Sequence, residues 1–115
     1  MTASRSTFRI DRFKVPEPAL AAFMSRVHRI DRLLGGMPGC LQHLVLEQSG
    51  GADDLRVVLT LVEWGDVHAM ASARAAVQEE YAREGFDPPS FMRALGVQAE
   101  FGVYAVDARP EPVPA

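Results

Sequence analysis

The ten residues Leu55–Trp64, LRVVLTLVEW, constrain this chain more than any other stretch. Val57, Val58, Leu59, Leu61 and Val62 are apolar at neighbouring positions, and neighbours on a β-strand point to opposite faces of a sheet. A strand that is apolar on both sides belongs in the middle of a sheet and needs a cover on each face. The remainder of the chain must supply partner strands and two covers.

The flanking segments meet that demand. Phe8–Val15 (FRIDRFKV) alternates, with Phe8 and Ile10 on one face and Asp11, Phe13 and Val15 on the other, which predicts a first strand. Pro16 and Pro18 end it, Pro18 standing where a helix accepts its first proline. From Pro18 to Leu34, the residues Leu20, Phe23, Met24, Val27, Ile30 and Leu34 recur with the spacing of one helical face. Gly35-Gly36 stops that helix and Met37-Pro38-Gly39 makes the following turn. Leu41–Gln48 reads as a second strand, joined to Leu55–Trp64 by a short turn over residues 49–54, so the two should form a hairpin. Asp66 is placed to cap a second helix running to about Glu84, with Val67, Met70, Ala71, Val77 and Tyr81 on one stripe. Gly85 ends it, a short helical turn through Phe91, Met92 and Leu95 follows, and Val97–Val106 is the fourth strand.

The order βαββαβ predicts an α+β, ferredoxin-like fold, with two helices on one face of a four-stranded antiparallel sheet. Residues 7–107 should form one domain, with residues 1–6 and 108–115 as flexible tails. The sheet face bearing Phe8 and Ile10 has no helix to cover it, and an apolar area of that kind predicts association, a C2 homodimer packed sheet against sheet.

Composition excludes several function classes. With 115 residues, 48% of them hydrophobic, the chain can build one core, burying about two-thirds of its unfolded surface, but not two. Twelve basic against 15 acidic residues give a net charge of -3 with no basic cluster, which argues against a nucleic-acid partner. No apolar run approaches the ~18–20 residues of a membrane span. Met1–Phe8 lacks the apolar stretch of a secretory signal, so a cytoplasmic protein is expected. Cys40 has no second cysteine with which to form an internal disulfide or a thiolate metal site. His28, His43 and His68 lack metal-ligand spacing, and no glycine-rich nucleotide loop or nucleophile elbow is present, so neither metal nor cofactor is expected.

Asp11-Arg12-Phe13-Lys14-Val15-Pro16, Met37-Pro38-Gly39 and Val62-Glu63-Trp64-Gly65-Asp66, in this order and spacing, resemble the antibiotic biosynthesis monooxygenase (ABM) domain family. Gly85-Phe86-Asp87-Pro88 and Gly102-Val103-Tyr104 resemble a subgroup of it, and the resemblance spans Phe8–Val106. It implies a dimeric α/β barrel with a pocket between each sheet and its own helices. Some members oxygenate polycyclic aromatic phenols to quinones without metal or flavin; others degrade haem. At the positions of the Asn, Trp and His used by the haem-degrading members this chain has Asp11, Ala73 and Arg83, and without that histidine iron has no evident axial ligand. The quinone-forming members use a Trp at the end of the third strand with Asn, Tyr and Arg nearby. Trp64 matches the Trp, Thr60 stands at the Asn position, Met70 stands near the Tyr position, and the Arg is Arg83 or Arg74. The resemblance therefore implies a cofactor-independent monooxygenase acting on a small aromatic, phenolic or polyketide-type compound. The alternative is a non-catalytic dimeric domain of the same fold, binding a small ligand or serving a structural role.

The residues that bear chemistry have alternative roles. Arg74 falls in the middle of the second helix's apolar stripe, where a guanidinium must find an anion or keep water. It is an anion or phenolate clamp in a pocket, a salt-bridge partner of Asp11 or Asp31, or a side chain that snorkels out at the helix edge. Asp11 shares the helix-facing side of its strand with Phe13 and Val15; it is a general base, Arg74's partner, or an edge-strand carboxylate open to water. Trp64 would stack on a flat ligand or close the barrel end. His43, on a face with Leu41 and Val45, is a candidate for proton transfer, while His28 and His68 should be solvated. Phe23, Val27, Met70, Phe86 and Phe91 should form pocket wall or core.

Overall fold

The computed structural model describes residues 6–48, 54–107 and 109. Its elements run β1 (Thr7–Pro16), a 3-10 turn at Glu17–Ala19, α1 (Leu20–Gly35), β2 (Cys40–Glu47), β3 (Leu55–Trp64), α2 (Val67–Glu84), α3 (Pro88–Leu95) and β4 (Gln98–Ala105). Residues 1–5, 108 and 110–115 of the expected tails, and 49–53 of the expected turn, lie outside the described residues. All four strands form one antiparallel sheet in the order β2-β3-β1-β4, the ferredoxin-like arrangement. β1 and β3 are the two inner strands, so Asp11 does not sit on an edge strand.

Register decides which residues face the helices. Across β1 and β3 the pairs are Thr7 with Trp64, Arg9 with Val62, Asp11 with Thr60, Phe13 with Val58 and Val15 with Arg56. This row of side chains lies under α1 and α2, and the intervening residues point the other way. Two buried clusters form along it. Phe13, Val15, Ala19, Phe23 and Val58 make one, joined by Phe91, Met92 and Leu95; Val62, Trp64 and Ala73 make the other. Val15 and Val58 are wholly buried. Arg26 and Arg29 of α1 both bond Glu84 of α2, at 2.9 and 2.7 Å, and so tie the helices together.

The outer face bears Phe8 and Ile10 of β1, Val57, Leu59 and Leu61 of β3, Leu44 and Leu46 of β2 and Tyr104 of β4. Leu46 is 44% and Tyr104 54% exposed. Nothing in the chain covers this surface among the described residues.

Three local expectations change. The side of α2 turned to the sheet carries Ala69, Met70, Ala73, Val77 and Tyr81, while Val67 and Ala71 are exposed. With alanine at most of its apolar positions, α2 has a weak stripe, and the true one is rotated so that Arg74 lies at its margin. The short turn after Asp87 is a two-turn helix, α3. Finally, β2 starts at Cys40 and carries a bulge before Gln42. The extra residue breaks the alternation, leaving Leu41 60% exposed while His43 pairs with Val62 on the helix side.

The connection from β3 to α2 is held by two devices. The Asp66 carboxylate accepts a 2.8 Å hydrogen bond from the Ala69 amide and caps α2. Gly39 has φ +86°, and a Cβ there would lie 2.5 Å from that of Ala69, so both backbone and packing require glycine. Asp66→Ala should therefore cost about 1 kcal/mol in chemical denaturation and Asp66→Asn much less; equal losses would deny the cap.

Candidate active site

Between the sheet and its helices lies a cavity of about 450 Å3. Its floor is Arg9, Asp11 and Phe13 of β1, Thr60, Val62 and Trp64 of β3, and Phe101 of β4. The α1 wall carries Phe23, Arg26, Val27, Ile30, Asp31 and Leu34, and the α2 wall Met70, Ala73, Arg74, Val77, Gln78 and Tyr81. Phe86, Pro88, Phe91 and Met92 close one end. The volume exceeds what a fused aromatic ring system needs and falls in the usual range for small-molecule sites.

Seven of the lining residues are aromatic, and several of their rings brace one another. Tyr81, Phe86 and Phe91 form a chain with centroids 5.1 and 5.2 Å apart, and Phe13 lies 5.0 Å from Phe23 and 6.1 Å from Phe101. The Arg26 guanidinium stacks 3.5 Å from the Phe86 centroid while it bonds Glu84. Trp64 is 3% exposed and packed with Val62 and Ala73, so its ring forms a fixed wall at the end of the floor.

Asp11 is the polar centre of the floor. It stands between Thr60 and Phe101 on the flanking strands, and its carboxylate accepts a 2.6 Å hydrogen bond from Arg9 Nε. Burial pushes its pKa above the ordinary 3.8, outweighing the opposing pulls of the Arg9 hydrogen bond and charge and of the Gly102 backbone. The partner considered from sequence was Arg74, yet the structure supplies Arg9. The same alternation that put Asp11 and Phe13 on the helix side puts Arg9 there, so the signal was present in FRIDRF.

Arg74 is exposed and lines the cavity from α2, and it makes no hydrogen bond or ion pair among the described residues. Arg83 instead pairs with Glu80 on the helix surface and takes no part in the cavity. Of the two arginines left open by the resemblance, Arg74 is the one placed at the site. Phe23, Val27, Met70, Phe86 and Phe91 all line the cavity, Phe23 also belonging to the core. His43 does not line it. Its Nδ1 lies 3.0 Å from Asp31 Oδ2, and Asp31 is the one of the pair that reaches the cavity. Tyr81, Gln78, Arg26 and Asp31 were missed as site residues, because helix-borne side chains reach this space only through the way α1 and α2 lie over the sheet. His28 and His68 are exposed, and Cys40 is half-buried, with burial pushing its thiol up. Among the described residues no group of three or more His, Cys, Asp or Glu could hold a metal ion, and no helix is long and apolar enough to cross a membrane.

A four-stranded antiparallel sheet with its helices on one face, and a cavity between them floored by a carboxylate, defines an α+β protein of ferredoxin-like fold. The fold is that of the ABM domain family, as the sequence resemblance implied. An ABM-like protein from Deinococcus radiodurans superposes with a TM-score of 0.69 at 16% identity over 94% of this chain and 99% of that one. SnoaB, a cofactor-independent oxygenase from Streptomyces nogalater, is 26% identical with a TM-score of 0.60 over 93% of this chain and 99% of that one. A monooxygenase-like protein from Shewanella loihica gives 0.64 at 18% identity over 94% and 100%. No family model matches the chain, and no curated protein matches it significantly.

The raised proton affinity of Asp11 has a thermodynamic signature. A folded state that holds this proton more tightly than an unfolded aspartate gains stability from it that is complete below pH 3.8 and lost as pH rises through the raised value. Across that window the melting temperature of the wild type should fall relative to that of Asp11→Asn. Parallel curves would show that burial does not govern this carboxylate.

Proposed function

We propose that the protein is a cofactor-independent monooxygenase that oxidises a small phenolic aromatic compound to a quinone with O2. The observation that carries this reading is Asp11, a half-buried carboxylate bonded to Arg9 and set in the floor of a cavity lined in part by aromatic rings, where burial raises its proton affinity. Its likeness to SnoaB supports the same chemistry. A neutral phenol binds between Trp64 and the phenylalanine walls, and Asp11 takes its O–H proton. The phenolate, far richer in electrons than the phenol, passes one electron to O2, and the two radicals join in a carbon–oxygen bond. The resulting peroxide takes a proton. Its O–O bond then breaks as the same carbon loses its hydrogen, leaving a new carbonyl and releasing the second oxygen atom as water. Phenol and O2 thus give quinone and water, with every electron supplied by the substrate.

Arg74, an exposed guanidinium that lines the cavity, would hold a second anionic or phenolic oxygen of the ligand. A second copy of the chain would cover the outer sheet face in a C2 homodimer, and the lone thiol of Cys40 suits the cytoplasm.

Incubation of 1,5-dihydroxynaphthalene, whose ring carbon para to a hydroxyl still bears hydrogen, with the protein under isotopically labelled O2 tests this. One labelled oxygen should appear in the new quinone carbonyl, and none under labelled water. Asp11→Asn should lower kcat at least ~100-fold, while Arg74→Ala should raise KM about tenfold with a smaller effect on kcat. Naphthalene diols that bind and are recovered unchanged would instead favour a non-catalytic binding domain. Leu59→Arg, on the outer face, should shift the protein to monomer in sedimentation; an unaltered dimer would place the contact elsewhere.

A further inference from the structure

The proposed reaction strips two protons from the substrate, one from oxygen and one from carbon, and the second oxygen atom needs two protons to leave as water. Asp11 has room for one of them at a time. A second carboxylate, Asp31 of α1, reaches the same cavity from the helix wall. It is bonded to His43 Nδ1 at 3.0 Å, and the His43 side chain is 38% exposed. The ring's other nitrogen, Nε2, makes no hydrogen bond to protein among the described residues.

The chain keeps a place for this imidazole. Gly35, at the end of α1, is not among the glycines with positive φ, so its backbone does not demand glycine. A Cβ at that position would lie 2.4 Å from His43 Nε2 and 2.8 Å from Cε1. The absent side chain makes room for the ring, beside Asp31. The β2 bulge contributes from the other side by turning His43 toward the helices.

We propose that Asp31 and His43 form a second proton-transfer couple, serving the cavity from its helix side and connecting it to solvent. A proton released in the cavity lands on Asp31 and crosses to Nδ1, while Nε2 gives one up to water; an imidazole can hold a proton on either nitrogen, so the ring resets by exchanging them. No electrons move in this step, and the proton passed out to solvent is matched by one that the departing hydroxide takes back from solvent as it becomes water. Asp31 is the member that meets the cavity; His43 acts through it.

This couple rests on the monooxygenase reading, and the test separates the two. With the dihydroxynaphthalene and O2, His43→Gln should lower kcat about tenfold or more with KM little changed, because glutamine can still bond Asp31 but cannot carry a proton. His43→Ala should be equally slow and recover in buffer containing imidazole. Gly35→Ala retains both ionisable residues and only displaces the ring, so it should slow turnover in the same way while the protein still melts cooperatively. Full activity in His43→Gln, or a slow His43→Ala that imidazole fails to rescue, overturns the couple and leaves the oxygenase intact. A wild type that forms no labelled quinone overturns both.

Discussion

The structure depends on a polar interruption in the floor of the sheet. Along the facing rows of β1 and β3, apolar residues toward each end build two buried clusters, one around Phe13, Val15 and Val58 and the other around Val62 and Trp64. Between them stand Asp11 and Thr60, side by side, with Arg9 reaching to Asp11. An ionisable pair and a hydroxyl do not invite closure by aliphatic side chains, since burying them without adequate partners costs more than the contacts return. Helices held apart by two clusters thus span the gap rather than fill it. The cavity follows from where the polar residues fall in the register.

The aromatic residues give that gap its shape. Tyr81, Phe86 and Phe91 brace one end in a tilted chain, and Trp64 is locked at the other. Rings that support each other hold these walls in place, so a flat ligand of the proposed kind would need little ordering to bind. Charge is arranged with similar economy. Of the three arginines that line the cavity, Arg26 is committed to Glu84 and to the face of Phe86 and Arg9 to Asp11, while Arg74 has no partner among the described residues. Unlike the other two, its guanidinium can be given to a ligand without breaking an ion pair.

The fold was legible because its signals are local and strong. Alternation in FRIDRFKV, the apolar spacing from Leu20 to Leu34 and the glycine stops at Gly35 and Gly85 each report on a few neighbouring residues. The site was legible only where it sits on such an element. Asp11, Trp64 and the phenylalanines are marked by such local patterns, and they line the cavity. Arg74 was named on a helix whose alanines give too little contrast to orient it, and Arg9 was passed over beside a more conspicuous aspartate. His43 was put on the right strand, but its relation to the cavity turned on a bulge, which inserts one residue and leaves no mark in the composition of CLQHLVLE.

By itself, then, the amino-acid order determined the element sequence, the antiparallel four-stranded sheet with its helices on one face, and the residue types available to a site, because backbone periodicity and turn chemistry act over a few positions. Tertiary structure alone decided the partners: Arg9 rather than Arg74 for Asp11, Asp31 for His43, and Arg74 rather than Arg83 for the cavity. Those choices depend on how helices lie across a sheet and on the register between strands far apart in the chain, and a shift of one residue or a modest rotation of a helix exchanges one neighbour for another.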